Sequence, residues 1–161
     1  MMNRIGFGFD THRLEEWKEF WLGGVLIPHT KGAVGYSDAD VLIHAICDAL
    51  FGAAALRDIG FHFPDTSQEY KGIDSKIFLE RCCSLVREKG FTIVNLDTTI
   101  VLQSPKISDY IPEMIRILTD FMKISPDQLS IKAKTSERLG FIGREEGISA
   151  YAVALIQVTG D

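Results

Sequence analysis

The sequence predicts an α+β fold: a single mixed β-sheet covered on one face by helices, with its other face packed against further copies of the chain. Three observations predict it. Stretches with strand-like two-residue alternation are interleaved with stretches of helical period. No internal repeat, low-complexity run or linker interrupts the 161 residues, so residues 1–161 read as one domain long enough to bury a substantial core. The last apolar stretch, 148–159, carries Tyr151, Val153 and Leu155 on one face and Ala152, Ala154 and Ile156 on the other. A strand apolar on both faces needs covering on both.

Residues 3–10 alternate as a first strand, and 22–28 (LGGVLIP) supply its antiparallel partner, with RLEEWKEFW between them as a charged, aromatic loop. A long helix is expected over 38–56, with Ser37 as N-cap and Asp40 as the returning acid of a capping-box-like start. Gly60, Pro64 and Gly72 punctuate RDIGFHFPDTSQEYKG into an extended loop. Residues 74–89 form an amphipathic helix stopped by Gly90. A strand over FTIVNLDTTIVLQ, a third helix over 108–123, and strands over LSIKAKT and ISAYAVALIQVT complete the chain.

Composition narrows the function. With 46% hydrophobic and 24% charged residues and a net charge of −5, the chain reads as soluble and globular, not as a nucleic-acid or membrane-surface binder. A small phosphorylated ligand stays compatible, because a few cations or a metal ion reverse the field locally. Cys47, Cys82 and Cys83 show no CxxC spacing and read as buried thiols in a reducing compartment. With no signal peptide ahead of the first strand, a cytoplasmic protein is expected, or a plastid one if a transit peptide has been removed.

Chemistry concentrates in three places. Asp10 and His12 stand two apart at the end of the first strand, so both side chains point to one face. The bland reading is a polar strand end. On the 38–56 helix, Leu42, Ile46, Ala49 and Ala53 share the core side, while Asp40, His44 and Asp48 fall in a narrow arc nearly opposite. The bland reading there is a solvated face. Together, Asp10, His12 and His44 offer one carboxylate and two imidazoles, a three-ligand set for catalytic Zn²⁺ with the fourth position open. Asp48, one turn on, is placed to orient the His44 ring. The third cluster, KAKTSERLGFIGREEG, combines Thr135, Ser136, two glycines and Arg144, groups suited to an anionic oxygen. Glu137 among them fits phosphate chemistry when a hard cation such as Mg²⁺ lies between the negative charges. Otherwise the segment is a polar turn with a capping acid.

Three motifs occur in order: GFGFDTH, then SDADVLIHAICDALFGAAALRDIG with FPDT, then TSERLGFIGREEG. Together they resemble the 2-C-methyl-D-erythritol 2,4-cyclodiphosphate synthase family of the non-mevalonate isoprenoid pathway, over nearly the whole chain. The resemblance implies a homotrimer with active sites between subunits, and a metal-dependent, CMP-releasing phosphorus–oxygen lyase acting on a cytidine diphosphate-linked substrate. It implies Zn²⁺ on Asp10, His12 and His44, and Mg²⁺ or Mn²⁺ on Glu137 with the substrate diphosphate. Asp58, Ile59 and Gly60 match positions holding ribose or methylerythritol hydroxyls. Phe63, Pro64 and Asp65 match the wall around the methylerythritol phosphate. Pro105, Lys106 and Ile107 match the cytosine pocket, beside Ala133, Lys134, Thr135 and Ser136. Phe9, Phe141, Arg144 and Glu146 match residues near a central channel that holds an isoprenoid diphosphate in some members.

Thr135 and Tyr36 match catalytic positions, and Tyr36 with Ser37 lies in the loop touching the 2-phosphate. Many members have His in place of Tyr36; tyrosine donates a hydrogen bond but carries no positive charge near neutral pH. Ser136 and Arg138 stand where familiar members have Thr and Lys. Two rivals use the same residues: a zinc phosphohydrolase giving linear products, and a non-enzymatic trimeric sensor of isoprenoid diphosphates.

Overall fold

A computed structural model describes residues 2–159. A fourteen-residue strand, β1 (Asn3–Glu16), opens the chain. It is followed by a small hairpin of β2 (Trp21–Leu22) and β3 (Val25–Leu26), and by β4 (Lys31–Val34). Helix α1 (Val41–Ala53), the short α2 (Ile59–His62) and α3 (Ser75–Glu88) come next. Then come β5 (Phe91–Val101), α4 (Ile111–Met122), β6 (Leu129–Lys134), the single turn α5 (Gly140–Gly143) and β7 (Gly147–Val158). The five long strands form one sheet in the order β4-β1-β7-β5-β6. All neighbours are antiparallel except β5 and β6, whose parallel pairing needs the crossover that α4 supplies. The predicted mixed sheet with helices on one face is therefore present.

Four local expectations are corrected. The first strand runs six residues beyond 10, into the front of what read as a loop, because β7 pairs with it as far as Arg13 and β4 pairs with it from Arg13 to Glu16. Residues 22–28 do not pair with it: Gly23 (φ +59°) and Gly24 (φ +77°) turn the chain so that β2 and β3 pair with each other. The antiparallel neighbour of β1 is β4, with Leu14 opposite Ala33. Asp40, not Ser37, caps α1, accepting the Ile43 N–H at 3.1 Å.

The core lies between the sheet and the α1, α3 and α4 layer. Helix α1 is buried nearly all round, so its polar arc is not a solvated face. Asp40 is fully buried and also accepts the Gly23 and Gly24 N–H groups at 3.0 and 2.7 Å. Gly6 and Gly8 let α1 settle this deeply. A Cβ on Gly6 would stand 1.8 Å from the Ala49 carbonyl oxygen, and one on Gly8 would stand 1.9 Å from that of Ala45. Residues 6, 8, 10 and 12 share one face of β1, so the contact that requires the two glycines also carries Asp10 and His12 toward α1. The opposite face is bare: Ile5 is 72% and Phe7 63% exposed, with Phe9, Tyr151 and Val153 beside them.

Candidate metal centre and its pocket

Asp10 and His12 arrive from β1, and His44 arrives from the first turns of α1. Asp10 Oδ2 lies 2.9 Å from His12 Nε2 and 3.0 Å from His44 Nδ1, and the two nitrogens are 3.1 Å apart. The outer hydrogen bonds fix which atoms face inward. His12 Nδ1 is 3.0 Å from the Val34 carbonyl, an acceptor, so Nδ1 carries the proton and Nε2 turns its lone pair inward. The Ser75 hydroxyl donates to Asp38 and therefore accepts at 2.9 Å from His44 Nε2–H, leaving the His44 Nδ1 lone pair inward as well. Ser37 Oγ adds a second contact at 3.1 Å.

Three lone-pair donors thus converge with no donated hydrogen among them, an arrangement that calls for a cation. A tetrahedral ion with ligand distances of about 2.0–2.1 Å spaces its donors by roughly 3.3 Å, so the triangle needs to open by only a few tenths of an ångström. Among the described residues this is the one cluster of three or more His, Cys, Asp or Glu groups close enough to hold a metal.

The electrostatics agree. Burial raises the Asp10 pKa, but when His12 and His44 carry inward protons in place of a metal, their hydrogen bonds and charges outweigh it and hold the carboxyl well below the usual range. Burial lowers His12, and the Asp10 hydrogen bond and charge, with the Val34 carbonyl, more than reverse it. Without a metal, Asp10 thus favours a proton on His12.

His12 and His44 open onto a cavity of about 220 Å³. Tyr36, Ser37, Ile59, Gly60, Phe63 and Asp65, all expected at the substrate, line it too. Asp58 caps α2, accepting the Phe61 N–H at 2.8 Å, and so shapes the same turn. A larger, more open cleft of about 580 Å³ adjoins it beyond Gly35 and Asp38, between Trp17 and Trp21, but among the described residues no metal-capable cluster faces it.

Asp48 does not orient His44. Its carboxylate accepts the Ile59 N–H at 2.8 Å, and its pKa is raised, chiefly by burial. Ser75 and Asp38 hold the ring instead. They escaped sequence reasoning because Ser75 stands 31 residues from His44 with no motif linking them.

The remaining predicted residues gather elsewhere. Thr135, Ser136, Glu137 and Arg138 form an exposed turn after β6, next to the segment holding Pro105, Lys106 and Ile107. The Leu102 N–H reaches the Lys134 carbonyl at 2.9 Å and the Arg138 N–H reaches Gln103 Oε1 at 3.0 Å, binding the two segments together. Thr135 Oγ1 donates to Glu137 Oε1 and accepts the Glu137 N–H, both at 3.2 Å. Glu137 (φ +54°) and Arg138 (φ +63°) are left-handed, a conformation uncommon for side-chain-bearing residues. Phe141 is partly exposed, and Arg144 makes a two-point ion pair with Glu146 at 2.9 and 3.1 Å.

In the register, Thr11 lies opposite Ser149, Ser149 opposite Val101 and Val101 opposite Lys134, so both clusters stand at one end of the sheet. Three strand spacings separate them, roughly 14 Å. One chain does not bring them together.

Residues 3–157 match the sequence model of the YgbB family. The 2-C-methyl-D-erythritol 2,4-cyclodiphosphate synthase of Porphyromonas gingivalis is 60% identical over 153 residues, 95% of this chain and 94% of that protein. The synthase of the same name from Bacteroides fragilis is 58% identical over 156 residues, 97% and 98% of the two chains. A solved 2C-methyl-D-erythritol-2,4-cyclodiphosphate synthase structure superposes with a TM-score of 0.89 at 36% identity, covering 96% of this chain and all (100%) of that one. A CDP complex of IspF from Plasmodium falciparum gives 0.86 at 34% identity, covering 98% and 97%. The bifunctional IspDF of Campylobacter jejuni gives 0.94 at 37% identity over 98% of this chain, which spans only 42% of that longer protein. The chain belongs to the YgbB family.

Proposed function

We propose that the chain, as one synthase domain over residues 1–161, cyclises 4-diphosphocytidyl-2-C-methyl-D-erythritol 2-phosphate to the 2,4-cyclodiphosphate with release of CMP. The observation that carries this reading is the inward convergence of Asp10, His12 and His44 on a pocket walled by the Ile59, Gly60, Phe63 and Asp65 segment. In the reaction, an oxygen of the 2-phosphate bonds to the β-phosphorus. The bond from that phosphorus to the α–β bridging oxygen breaks, and CMP leaves with the oxygen and its electron pair. The nucleophile is a phosphate monoester with a second pKa of about 6, largely dianionic near neutrality, so no general base is required. His12 and His44 serve as ligands, their outer nitrogens already committed to Val34 and Ser75.

Zn²⁺ on Asp10, His12 and His44, and Mg²⁺ or Mn²⁺ on Glu137, would supply polarisation and charge neutralisation of the diphosphate. The protein's own share is placement. Phe63, stacked on Phe78 at 4.6 Å, gives a rigid wall. Asp58, Ile59 and Gly60 are offered to hydroxyls, while Pro64 and Asp65 complete the wall around the methylerythritol phosphate. Ser37 stands beside the His44 ring at the phosphate end. Pro105, Lys106, Ile107, Ala133 and Lys134 receive the cytosine, and Thr135 and Ser136 bind phosphate oxygens. Holding a flexible polyanion in ring-closing geometry is worth up to roughly 7–11 kcal/mol in favourable intramolecular cases.

A diphosphate reaches nowhere near across the sheet from His12 to Glu137, so the two clusters act together only between chains. The bare apolar face of Ile5, Phe7, Phe9, Tyr151 and Val153 supports such an assembly, and the homotrimer is the form we propose. Phe141 and Arg144 then stand near its axis, where an isoprenoid diphosphate is the proposed channel ligand. The test is incubation with the cytidyl substrate, followed by ³¹P NMR. Cyclic diphosphate and CMP, both abolished by a chelator and restored by zinc, are expected. Linear phosphate products would assign a hydrolase instead.

A further inference from the structure

We propose that Tyr36 is a positioning residue that latches residues 64–69 across the mouth of the pocket, its hydroxyl acting on substrate binding and not on phosphoryl transfer. The proposal rests on the reading of the pocket given above. Tyr36 lies between β4 and α1 with its ring half-buried against the core, and its phenol donates to the Ser67 carbonyl at 3.1 Å. A phenol has one proton to donate. Spent on Ser67, it is not directed at a phosphate.

The segment it reaches is anchored at both ends and little supported between them. On one side, Phe63 stacks on Phe78, and buried Tyr70 meets both rings edge-on at 5.6 Å. On the other, the Gly72 N–H reaches the Tyr36 carbonyl at 2.8 Å, and the Asp38 N–H reaches the Ile73 carbonyl at 3.0 Å. Inside residues 64–69 there is a turn in which the Ser67 N–H reaches the Pro64 carbonyl at 3.1 Å. The Tyr70 and Lys71 N–H groups reach the Ser67 and Gln68 carbonyls at 3.2 and 3.3 Å within the local turn. Among the described residues, the Tyr36 phenol is the one hydrogen bond reaching 64–69 from outside 63–71, and the exposed Arg81–Glu69 ion pair at 3.7 Å contributes little. Segments with few buried contacts open at low free energy, so a single bond at the crown governs how often this wall is in place. Asp65, on the pocket wall, moves with it.

The experiment compares the wild-type chain with Tyr36→Phe, which removes only the hydroxyl, by amide hydrogen exchange and by steady-state kinetics on the cytidyl substrate. A net hydrogen bond of about 0.5–1.5 kcal/mol corresponds to roughly 2- to 12-fold. Exchange over 64–70 is expected to accelerate by that order with α1 unchanged, and KM to rise by a similar factor with little change in kcat. Unaltered exchange over 64–70 overturns the latch, as does a fall in kcat at constant KM. A wild-type chain that fails to turn over the substrate rejects the reading of the pocket, and the exchange comparison still decides the latch.

Discussion

Asp10, His12 and His44 sit where a helix backbone presses onto a sheet, whereas Thr135, Ser136, Glu137 and Arg138 make an exposed turn at the opposite edge of that sheet. In the first region the donors are set by the core: Gly6 and Gly8 admit α1, and the Val34 carbonyl and the Ser75 hydroxyl turn the rings. In the second, the side chains answer mainly to one another, through the Thr135 hydroxyl and the Gln103 amide oxygen. The first cluster is complete within one chain, and the second presents a carboxylate and hydroxyls outward. Stability and metal retention should therefore travel together in the first region and separate in the second.

The largest expected effect is that of Gly8→Ala. Its Cβ would meet the Ala45 carbonyl oxygen at 1.9 Å and the Ala49 nitrogen at 2.6 Å, backbone atoms that cannot turn aside. Helix α1 has to move, at a cost of about 1–3 kcal/mol or more. Thermal unfolding and zinc content should fall together; a stable variant with full zinc would sever the link between packing and ligation. Next, Glu137→Gln should leave fold and zinc content intact while severely reducing turnover and weakening its Mg²⁺ dependence. Unchanged turnover at low Mg²⁺ removes Glu137 from the chemistry.

Ser75→Ala is a smaller change, freeing the His44 ring to turn. Competition titration should show zinc affinity reduced by about 10–100-fold, and the melting temperature should fall with it, because Asp38 and His44 lose a buried partner. Unaltered affinity would mean that Ser37 alone holds the ring.

The smallest effect is one of pH on the chelator-treated chain. Burial opposes protonation of His12, but Asp10 wins, so the folded state holds this proton above the unfolded value of 6.5. The stabilisation is complete below that value and lost as pH rises through the folded one. Asp10 behaves as the mirror image, since its folded pKa is depressed. Its contribution is present above about pH 4 and lost only in stronger acid. Without metal, the melting temperature should decline as pH rises above about 6.5. With zinc replacing the proton, the decline should disappear; an equal decline in both forms would point to other groups.

How much of this was legible in the sequence follows from the same contrast. The Asp10–His12 pair could be read because strand alternation is a local rule, and His44 because helical periodicity is one too. That they meet depends on Gly6 and Gly8 permitting backbone contact between β1 and α1, which pairs residues more than thirty positions apart. Residues 22–28 misled because their apolar run suits a strand, while the Gly23 and Gly24 turn folds it back on itself. Ser37 is a good capping residue but stands three positions ahead of the cap on α1; its hydroxyl instead serves the His44 ring and the Ala39 N–H. Asp48 looked like the partner of His44 at four-residue spacing, but the α2 turn offers its carboxylate an N–H that periodicity does not display. The Glu137 turn was legible only as composition, since its left-handed residues carry no glycine to announce them.

The most direct measurement is anomalous scattering at the zinc edge from crystals grown with zinc, compared with His44→Ala. One peak per chain is expected, bonded to Asp10 Oδ2, His12 Nε2 and His44 Nδ1, and absent from the variant. A peak held by other atoms, or one that survives loss of the imidazole, would contradict the assignment of these three side chains as the metal centre.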